Sequence, residues 1–382
     1  MKKILIFTEY YYPGYKAGGP IQSVYNIANS MASSFEVRVV CRDRDSGDLT
    51  SYPNVELNAW NDLGDHLVYY TGAGKASKKA IEALLSDINP DVVYLNSFFS
   101  NFSSLIFRIL LSNIYTFSVL IAPRGEFNEA ALSIKKVKKL IYRNLFKVLL
   151  LRKMNIYWQA TSLEEFNRIT YVMGENAKKY LLQGIGRAKQ LPIRNIGKKQ
   201  GEIKIVTVSR IHRIKNLDFF LDVLKKSNVF SKITWDIFGL VENRDYQTEL
   251  MKKAESIPNL SFTIKGEIPN EQIHEELPNY HLFVLPTLGE NFGHAIYDAI
   301  IAGLPVLISD KTPWLGLSKI GVGFDISLSD TEMWIEKFVE FVNTDDTNYW
   351  RSREQVYNYG STLINNNEHV EKYKQVFNQL SL

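Results

Sequence analysis

Short apolar runs alternate with longer segments of helical spacing along most of the chain. KKILIF, EVRVVC, DVVYLN, SVLIAP and IYWQAT read as strands, and their near-continuous apolar character is that of strands buried on both faces. IQSVYNIANSMASS and KASKKAIEALLSDI place apolar residues at intervals of three and four, which predicts helices. Strand and helix in alternation predict βαβ units around a parallel sheet. The rhythm stops in GIGRAKQLPIRNIGKKQGE, residues 184–202, which is rich in Gly, Lys and Arg. It restarts with IKIVTVS and a helix from about Leu217, followed by ITWDIFG, LSFTIKG, HLFVLP and PVLISD. The pattern predicts an α/β protein of two Rossmann-like lobes, residues 1–185 and 186–365. A last helical segment, NEHVEKYKQVFNQL within 366–382, is expected to pack back on the first lobe. Two parallel-sheet lobes are expected to face a cleft at the carboxyl ends of their strands, where such sheets bind ligands.

Bulk properties narrow the class without naming it. A length of 382 residues is enough for two cores. The 45 basic and 41 acidic residues leave a net charge of +4, which does not by itself imply nucleic acid. Cys41 is the one cysteine, so no intramolecular disulfide forms, and a reducing, cytoplasmic compartment is expected. The opening MKKILIF carries an apolar run too short for a signal peptide and reads as a first buried strand. LIFRILLSNIYTFSVLIA is interrupted by Arg108 and Asn113 and reads as a core helix plus a strand, not a membrane span.

Four stretches are candidates for chemistry. Gly18-Gly19 follows the first strand, with Pro20 suited to a helix's first turn. Their N–H groups fit an anion site and a plain turn about equally well. Arg210 and Lys215 lie in SRIHRIKN, just past the first strand of the second lobe, where a guanidinium fork and an ammonium suit phosphate oxygens. GENFGHAIYD, residues 289–298, leads into a helix that Asn291 is placed to cap and whose first turn Gly293 keeps open. A diphosphate suits such a helix start. Glu290 and Asp298 suit hydroxyl groups of a sugar or ribose, although by spacing alone they read as a cap acid and an internal acid. Finally, residues 133–153 hold eight basic residues and no acidic one. There Ile134, Val137, Leu140, Ile141, Leu145, Val148 and Leu149 follow helical spacing, the pattern of a basic amphipathic helix at a membrane surface. The other reading is a solvated helix with its apolar face on the first lobe. Asp43-Arg44-Asp45 reads as a chance occurrence or a surface loop, and no His/Cys cluster has metal spacing, so no metal is expected.

E-N-F-G-x-x-x-x-D resembles the E-x7-E motif of retaining glycosyltransferases of the two-lobed GT-B fold, nearest the large family-four group. The resemblance extends over the Gly-Gly loop, APRGEF at 121–126, SRIHRIKN at 209–216, the glycine ending ITWDIFG, which is Gly239, and LPTLGENFGHAIYDAIIAGLPVLISDKTPW. It implies a hexosyltransferase whose substrate is a nucleotide-diphosphate sugar, with no other cofactor. By that resemblance Arg210 and Lys215 neutralise the diphosphate, Asp298 takes the ribose hydroxyls and Glu290 contacts the donor sugar. Asn291, Phe292 and Gly293 face the sugar and its phosphate; Gly18 and Gly19 approach the diphosphate and the acceptor, and Arg124 and Gly239 join the donor site. Glu290, Arg210 and Lys215 would carry the chemistry. Two departures stand out: Asp298 replaces the usual Glu, and the first-lobe histidine of many relatives is absent from YLNSFFSNF, where Asn96 or Arg124 is the stand-in. The implied acceptor is a lipid-linked glycan of a bacterial surface polysaccharide (capsule, O-antigen or exopolysaccharide), met at the inner face of the plasma membrane through basic helix 134–153. The alternatives are an epimerase or phosphorylase on the same fold, or a non-catalytic nucleotide-sugar-binding partner.

Overall fold

The computed structural model describes residues 1–72, 76–112, 115–149, 155–227 and 232–381. The chain divides into two compact units, Met1–Ile185 with Asn367–Leu382, and Gly186–Asn366.

The first lobe runs β1 (Lys3–Phe7), α1 (Gly19–Ala32), β2 (Glu36–Arg42), β3 (Trp60–Asp62), β4 (Leu67–Thr71), α2 (Lys78–Ile88), β5 (Val92–Asn96), α3 (Asn101–Ser112) and β6 (Ser118–Ala122). It continues through α4 (Glu129–Ser133), α5 (Lys136–Leu149), β7 (Ile156–Ala160), α6 (Leu163–Met173) and β8 (Lys179–Leu181). The sheet order is β3-β4-β2-β1-β5-β6-β7-β8. All neighbours are parallel except β3, which pairs antiparallel with β4 at the edge. Every residue of β5 and β6 is buried, as their apolar runs require. One face of the sheet is closed by α2, α3 and α6 with a ring of aromatics around Phe98. The other is closed by α1 and the last helix of the chain, whose Phe377 ring meets Phe35 at 5.9 Å.

The second lobe runs β9 (Glu202–Val208), α7 (Leu217–Lys226), β10 (Lys232–Phe238), α8 (Arg244–Glu255), β11 (Leu260–Gly266), α9 (Asn270–Glu276), β12 (Leu282–Leu285), α10 (His294–Ile301) and β13 (Val306–Ser309). It ends with α11 (Leu317–Ile320), β14 (Gly323–Ile326), α12 (Thr331–Asn343) and α13 (Asp346–Asn365), before α14 (Glu368–Leu380) closes the chain on the first lobe. The six strands are parallel in the order β11-β10-β9-β12-β13-β14. This is the doubly wound order, with its switch point between β9 and β12. In the first lobe the equivalent reversal lies between β1 and β5. Loops leaving the carboxyl ends of these four strands are therefore where each sheet opens a crevice.

Residues 186–201, read from sequence as a connection, are laid against the second lobe. Gln190 Nε2 donates to Ile301 O at 2.7 Å, and Lys198 Nζ donates to Val342 O at 2.9 Å, closing the carboxyl end of α12. Burial lowers the Lys198 ammonium to about 8. Gly186 packs flat on Tyr297: a Cβ there would stand 2.2 Å from the ring. LIFRILLSNIYTFSVLIA supplies most of α3 and all of β6, and among the described residues no helix is long and apolar enough to cross a membrane.

Candidate functional site

Several of the residues expected at the donor site leave the two strands that flank the second lobe's switch point. Arg210 and Lys215 leave the end of β9, and Glu290 to Gly293 leave the end of β12. Main-chain bonds knit the two loops: Leu288 N donates to Ile214 O at 2.8 Å, and Thr287 Oγ1 donates to the same carbonyl at 3.1 Å. Lys215 closes a single 3-10 turn, Arg213–Lys215, and Asn216 comes next with φ 54°, a left-handed conformation that asparagine tolerates. That turn brings Lys215 Nζ onto Glu290 Oε1 in a contact where both side chains are largely buried. An ammonium has three donors, so two of them remain for other acceptors. Arg210 is exposed and grips both oxygens of Glu242 through one terminal nitrogen, at 2.8 and 2.9 Å. Its Nε and second terminal nitrogen have no protein partner among the described residues.

The beginning of α10 differs from the sequence expectation. Asn291 does not cap the helix and is exposed; the cap is Gly293 at φ 76°, with no side-chain hydrogen bond. The reason is packing. A Cβ on Gly293 would stand 3.0 Å from Ile296 and 3.2 Å from Trp314 Nε1. Trp314 Nε1 also donates to Phe292 O at 2.6 Å, which fixes the turn before the helix. The first N–H groups of α10 are thus left without a capping side chain, and no acidic residue stands in the first turn. Asp298 sits one turn into α10, which begins at His294.

Asp298 has partners the sequence reading missed. His274 Nε2 on α9 lies 3.3 Å from Asp298 Oδ2, and Arg187 of the connecting segment touches His274 Nδ1. The same arginine nitrogen lies 3.1 Å from His274 Nε2, so Arg187, His274 and Asp298 form one cluster. Next to them Tyr297 Oη donates to Arg187 O at 2.8 Å, and burial, then the Asp298 charge, push its phenol up. Neither Arg187 nor His274 carried a motif: one lies in a Gly/Lys/Arg-rich connection and the other on a short polar helix. If the pair completes the reach of the shorter acid, His274→Ala should weaken nucleoside diphosphate binding about tenfold, roughly the effect of one charge-assisted hydrogen bond. Equilibrium titration of the variant checks this, and an affinity within twofold of the unaltered protein sinks it.

Gly239 ends β10 at φ 149°, and a Cβ there would stand 2.0 Å from Ser209 O. This close approach lets the loops after β9, β10 and β11 bond side by side: Ser209 N to Phe238 O, Ile211 N to Leu240 O, and Gly239 N to Gly266 O, all within 2.9 Å. Beyond them opens a cavity of about 480 Å³ lined by Gly239, Leu240, Val241, Arg244, Gln247 and Gly266.

The remaining expected residues belong to the first lobe. Gly18, at φ 64°, caps α1; Gly19 and Pro20 form its first turn, which holds no acidic residue. The loop before it is anchored by Asp45, which accepts from Tyr15 N at 2.6 Å and Lys16 N at 2.9 Å. This corrects the surface-loop alternative offered for Asp43-Arg44-Asp45. Both acids are buried, and Asp43 is spent on Arg44 and Ser51, whose hydrogen bonds, Arg44 first, hold its carboxyl below the usual range. Arg124, at φ 53°, donates from Nε to Asn96 Oδ1 at 2.9 Å and from a terminal nitrogen to Tyr94 Oη at 2.9 Å. The two candidates for the absent histidine's place therefore touch each other. Glu165 fixes that turn by accepting from Gly125 N at 2.7 Å. Glu126 accepts from Ser97 and from the N–H groups of Phe98 and Phe99, while burial pushes its carboxyl up.

Helix α5 does not rest its apolar face on the lobe. The helix begins at Lys136, so Ile134, 62% exposed, lies before it; within it Ile141 is 62% and Val148 72% exposed, and Val137, Leu140 and Leu145 are exposed too. Phe146 is its one buried residue among those described, with Tyr142 and Leu149 half-buried beside it. At 100° per residue the exposed apolar side chains lie opposite the Phe146 side, while Lys136, Arg143 and Lys147 share one flank. Residues 150–153 of the basic stretch lie outside the described residues.

The fold resembles that of known proteins. The fold is the GT-B fold of glycosyltransferases. Residues 189–360 match the family described as Glycosyl transferases group 1. Sucrose-phosphate synthase from Thermosynechococcus elongatus superposes on 100% of this chain and 99% of its own at TM-score 0.70 and 15% identity. WaaG, a glycosyltransferase involved in lipopolysaccharide biosynthesis, does so over 98% and 99% at TM-score 0.67 and 14% identity. HepE of Anabaena, solved in complex with UDP and glucose, covers 100% of both chains at TM-score 0.66 and 15% identity. No curated protein matches the chain in sequence.

Proposed function

We propose that the protein is a retaining hexosyltransferase that moves a sugar from a nucleoside diphosphate to an acceptor hydroxyl. The observation that carries this reading is the Lys215–Glu290 pair at the β9/β12 switch point, beside a helix start capped by Gly293 with no side-chain hydrogen bond. A cation with spare donors at a helix start that has no capping side chain suits a diphosphate, and a carboxylate beside it suits sugar hydroxyls. The base would fill the cavity beyond Gly239, with the ribose at Asp298 and His274. Because solved neighbours of this fold hold UDP, uridine is the first base to test.

In the reaction, the bond between the anomeric carbon and the diphosphate oxygen breaks and one to the acceptor oxygen forms. Negative charge grows on the leaving diphosphate, where Arg210, Lys215 and the α10 amides would meet it. The acceptor proton passes to the departing diphosphate on the same face of the sugar, so the configuration is kept. Neither a protein nucleophile nor a metal is assigned. Gly18, Gly19 and Arg124 are proposed as binding residues of the first lobe. Proton NMR of the product formed from an α-linked UDP-sugar tests this: an α-linked product supports retention, and a β-linked product overturns it. Release of free sugar phosphate or an epimerised donor would instead favour a phosphorylase or epimerase.

The acceptor is proposed to be a lipid-linked glycan of a bacterial surface polysaccharide, reached from the cytoplasmic membrane face. Support comes from α5, whose bared apolar side and lysine flank suit an interfacial helix on anionic lipid. The protein should sediment with vesicles containing phosphatidylglycerol at low salt, and Ile141→Glu with Val148→Glu should cut the bound fraction several-fold. Equal sedimentation of the variant, or none of the unaltered protein, would remove the membrane assignment.

A further inference from the structure

Two cavities of the first lobe adjoin along α3, and neither is used by the donor site. The first, of about 340 Å³, opens at the carboxyl ends of β1 and β2 beside the amino end of α3, next to the β1/β5 switch point. Arg42, Lys78, Arg108 and Glu9 line it. Glu9 is engaged: it accepts from Asn101 N at 2.7 Å and stands 4.0 Å from Arg42. Lys78 lies 3.6 Å from Glu82. Arg42 Nε is buried with no partner among the described residues. Arg108 bonds only to Ser104 of its own helix, through Nε at 3.2 Å and a terminal nitrogen at 3.4 Å, and has no carboxylate partner among the described residues. The cavity thus holds more positive than negative charge, and two of its guanidinium groups have donors to spare.

The second cavity, of about 200 Å³, lies between α3 and α5 and is almost wholly apolar. Phe107, Leu111, Tyr142, Leu145, Phe146 and Leu149 line it. Arg108 lines both cavities, so a cation stands at the mouth of a hydrocarbon slot. An apolar cavity of about 150 Å³ holds a benzene ring, so this slot has room for a short length of one chain and not for two. Its outer wall is the helix whose opposite side bares Ile141 and Val148.

We propose that these cavities together bind a single-chain prenyl phosphate or diphosphate, with the phosphate at Arg42 and Arg108 and the first part of the chain in the α3–α5 slot. The assignment of this ligand as the acceptor's lipid carrier rests on the function proposed above; the binding does not. One chain and a terminal phosphate distinguish it from a two-chain phospholipid, and its cationic seat distinguishes it from a neutral lipid.

The test is calorimetric titration of the full chain with farnesyl diphosphate, inorganic diphosphate, farnesol and a short-chain phosphatidate, each with UDP at saturation to occupy the donor site. Farnesyl diphosphate should bind at least tenfold more tightly than the other three. Arg108→Ala should cost about tenfold for farnesyl diphosphate and leave farnesol unchanged, whereas Leu111→Glu should weaken both. Both residues are exposed, so an unchanged melting temperature is expected and is checked first. Equal affinity for farnesyl and inorganic diphosphate, tighter binding of phosphatidate, or indifference to both substitutions overturns the proposal. UDP affinity measured on the same samples separates the two readings: if it is retained while farnesyl diphosphate fails, the lipid site falls and the donor site stands.

Discussion

Lys215→Ala is expected to lower glycosyl transfer by about 10²–10³-fold, the loss typical of removing one preorganised donor to a developing oxyanion. Lys215 is 11% exposed and its partner Glu290 17%, so their charges act in a medium less screened than the surface. The 3-10 turn and the Leu288–Ile214 bond set the ammonium in place before any ligand arrives. The substitution removes that charge and leaves Glu290 without its cation, so the diphosphate would meet a bare carboxylate. Lys215→Arg should recover only part of the rate, because a planar fork cannot reproduce a point charge in the same space. Steady-state turnover of a UDP-sugar, with the melting temperature as control for folding, measures this. Turnover within threefold of the unaltered protein would show that Lys215 takes no part in the chemistry.

Gly239→Ala should destabilise the second lobe by roughly 3 kcal/mol, combining overpacking with the loss of a main-chain bond or two. The added Cβ would meet the main-chain oxygen of Ser209, which has no rotamer to escape into. The loops after β9 and β10 would have to part, stretching Ser209 N to Phe238 O and Ile211 N to Leu240 O. These loops carry Arg210 and border the cavity proposed for the base, so nucleotide binding should fall with stability. At about 2–4 °C per kcal/mol for a lobe of this size, the melting temperature should drop by roughly 6–12 °C. Calorimetry checks it; a drop below 2 °C would mean the strand ends do not depend on this close approach.

The central strands were legible because burial on both faces leaves them continuously apolar. β1, β2, β5, β6 and β7, and β9 to β13, all coincide with runs visible in the sequence. β3 and β8, three residues each at or near a sheet edge, and the mixed GFDI of β14 carried no such signal. Just past the strand ends, Lys215 and Glu290 do meet within one lobe, whereas Arg210 turns to Glu242, a partner the sequence did not suggest. Features that depend on contacts far apart in sequence were not legible. Trp314 ties down the turn before α10, where Gly293 and not Asn291 is the cap, and His274 with Arg187 meets Asp298, over separations no local pattern encodes. Asp45 shows the same limit, since a buried acid that accepts main-chain N–H groups from a loop 30 residues away looks, in sequence, like any surface aspartate.

Everything proposed for catalysis depends on a nucleoside diphosphate seat built from Lys215, Glu290 and the start of α10. Isothermal titration with UDP and UMP, on the unaltered protein and on Lys215→Ala, probes that seat without needing an acceptor. UDP should bind the unaltered protein at least tenfold more tightly than UMP, and Lys215→Ala should remove most of that difference. Equal binding of the two nucleotides, or a preference that survives the loss of Lys215, would contradict the proposed seat.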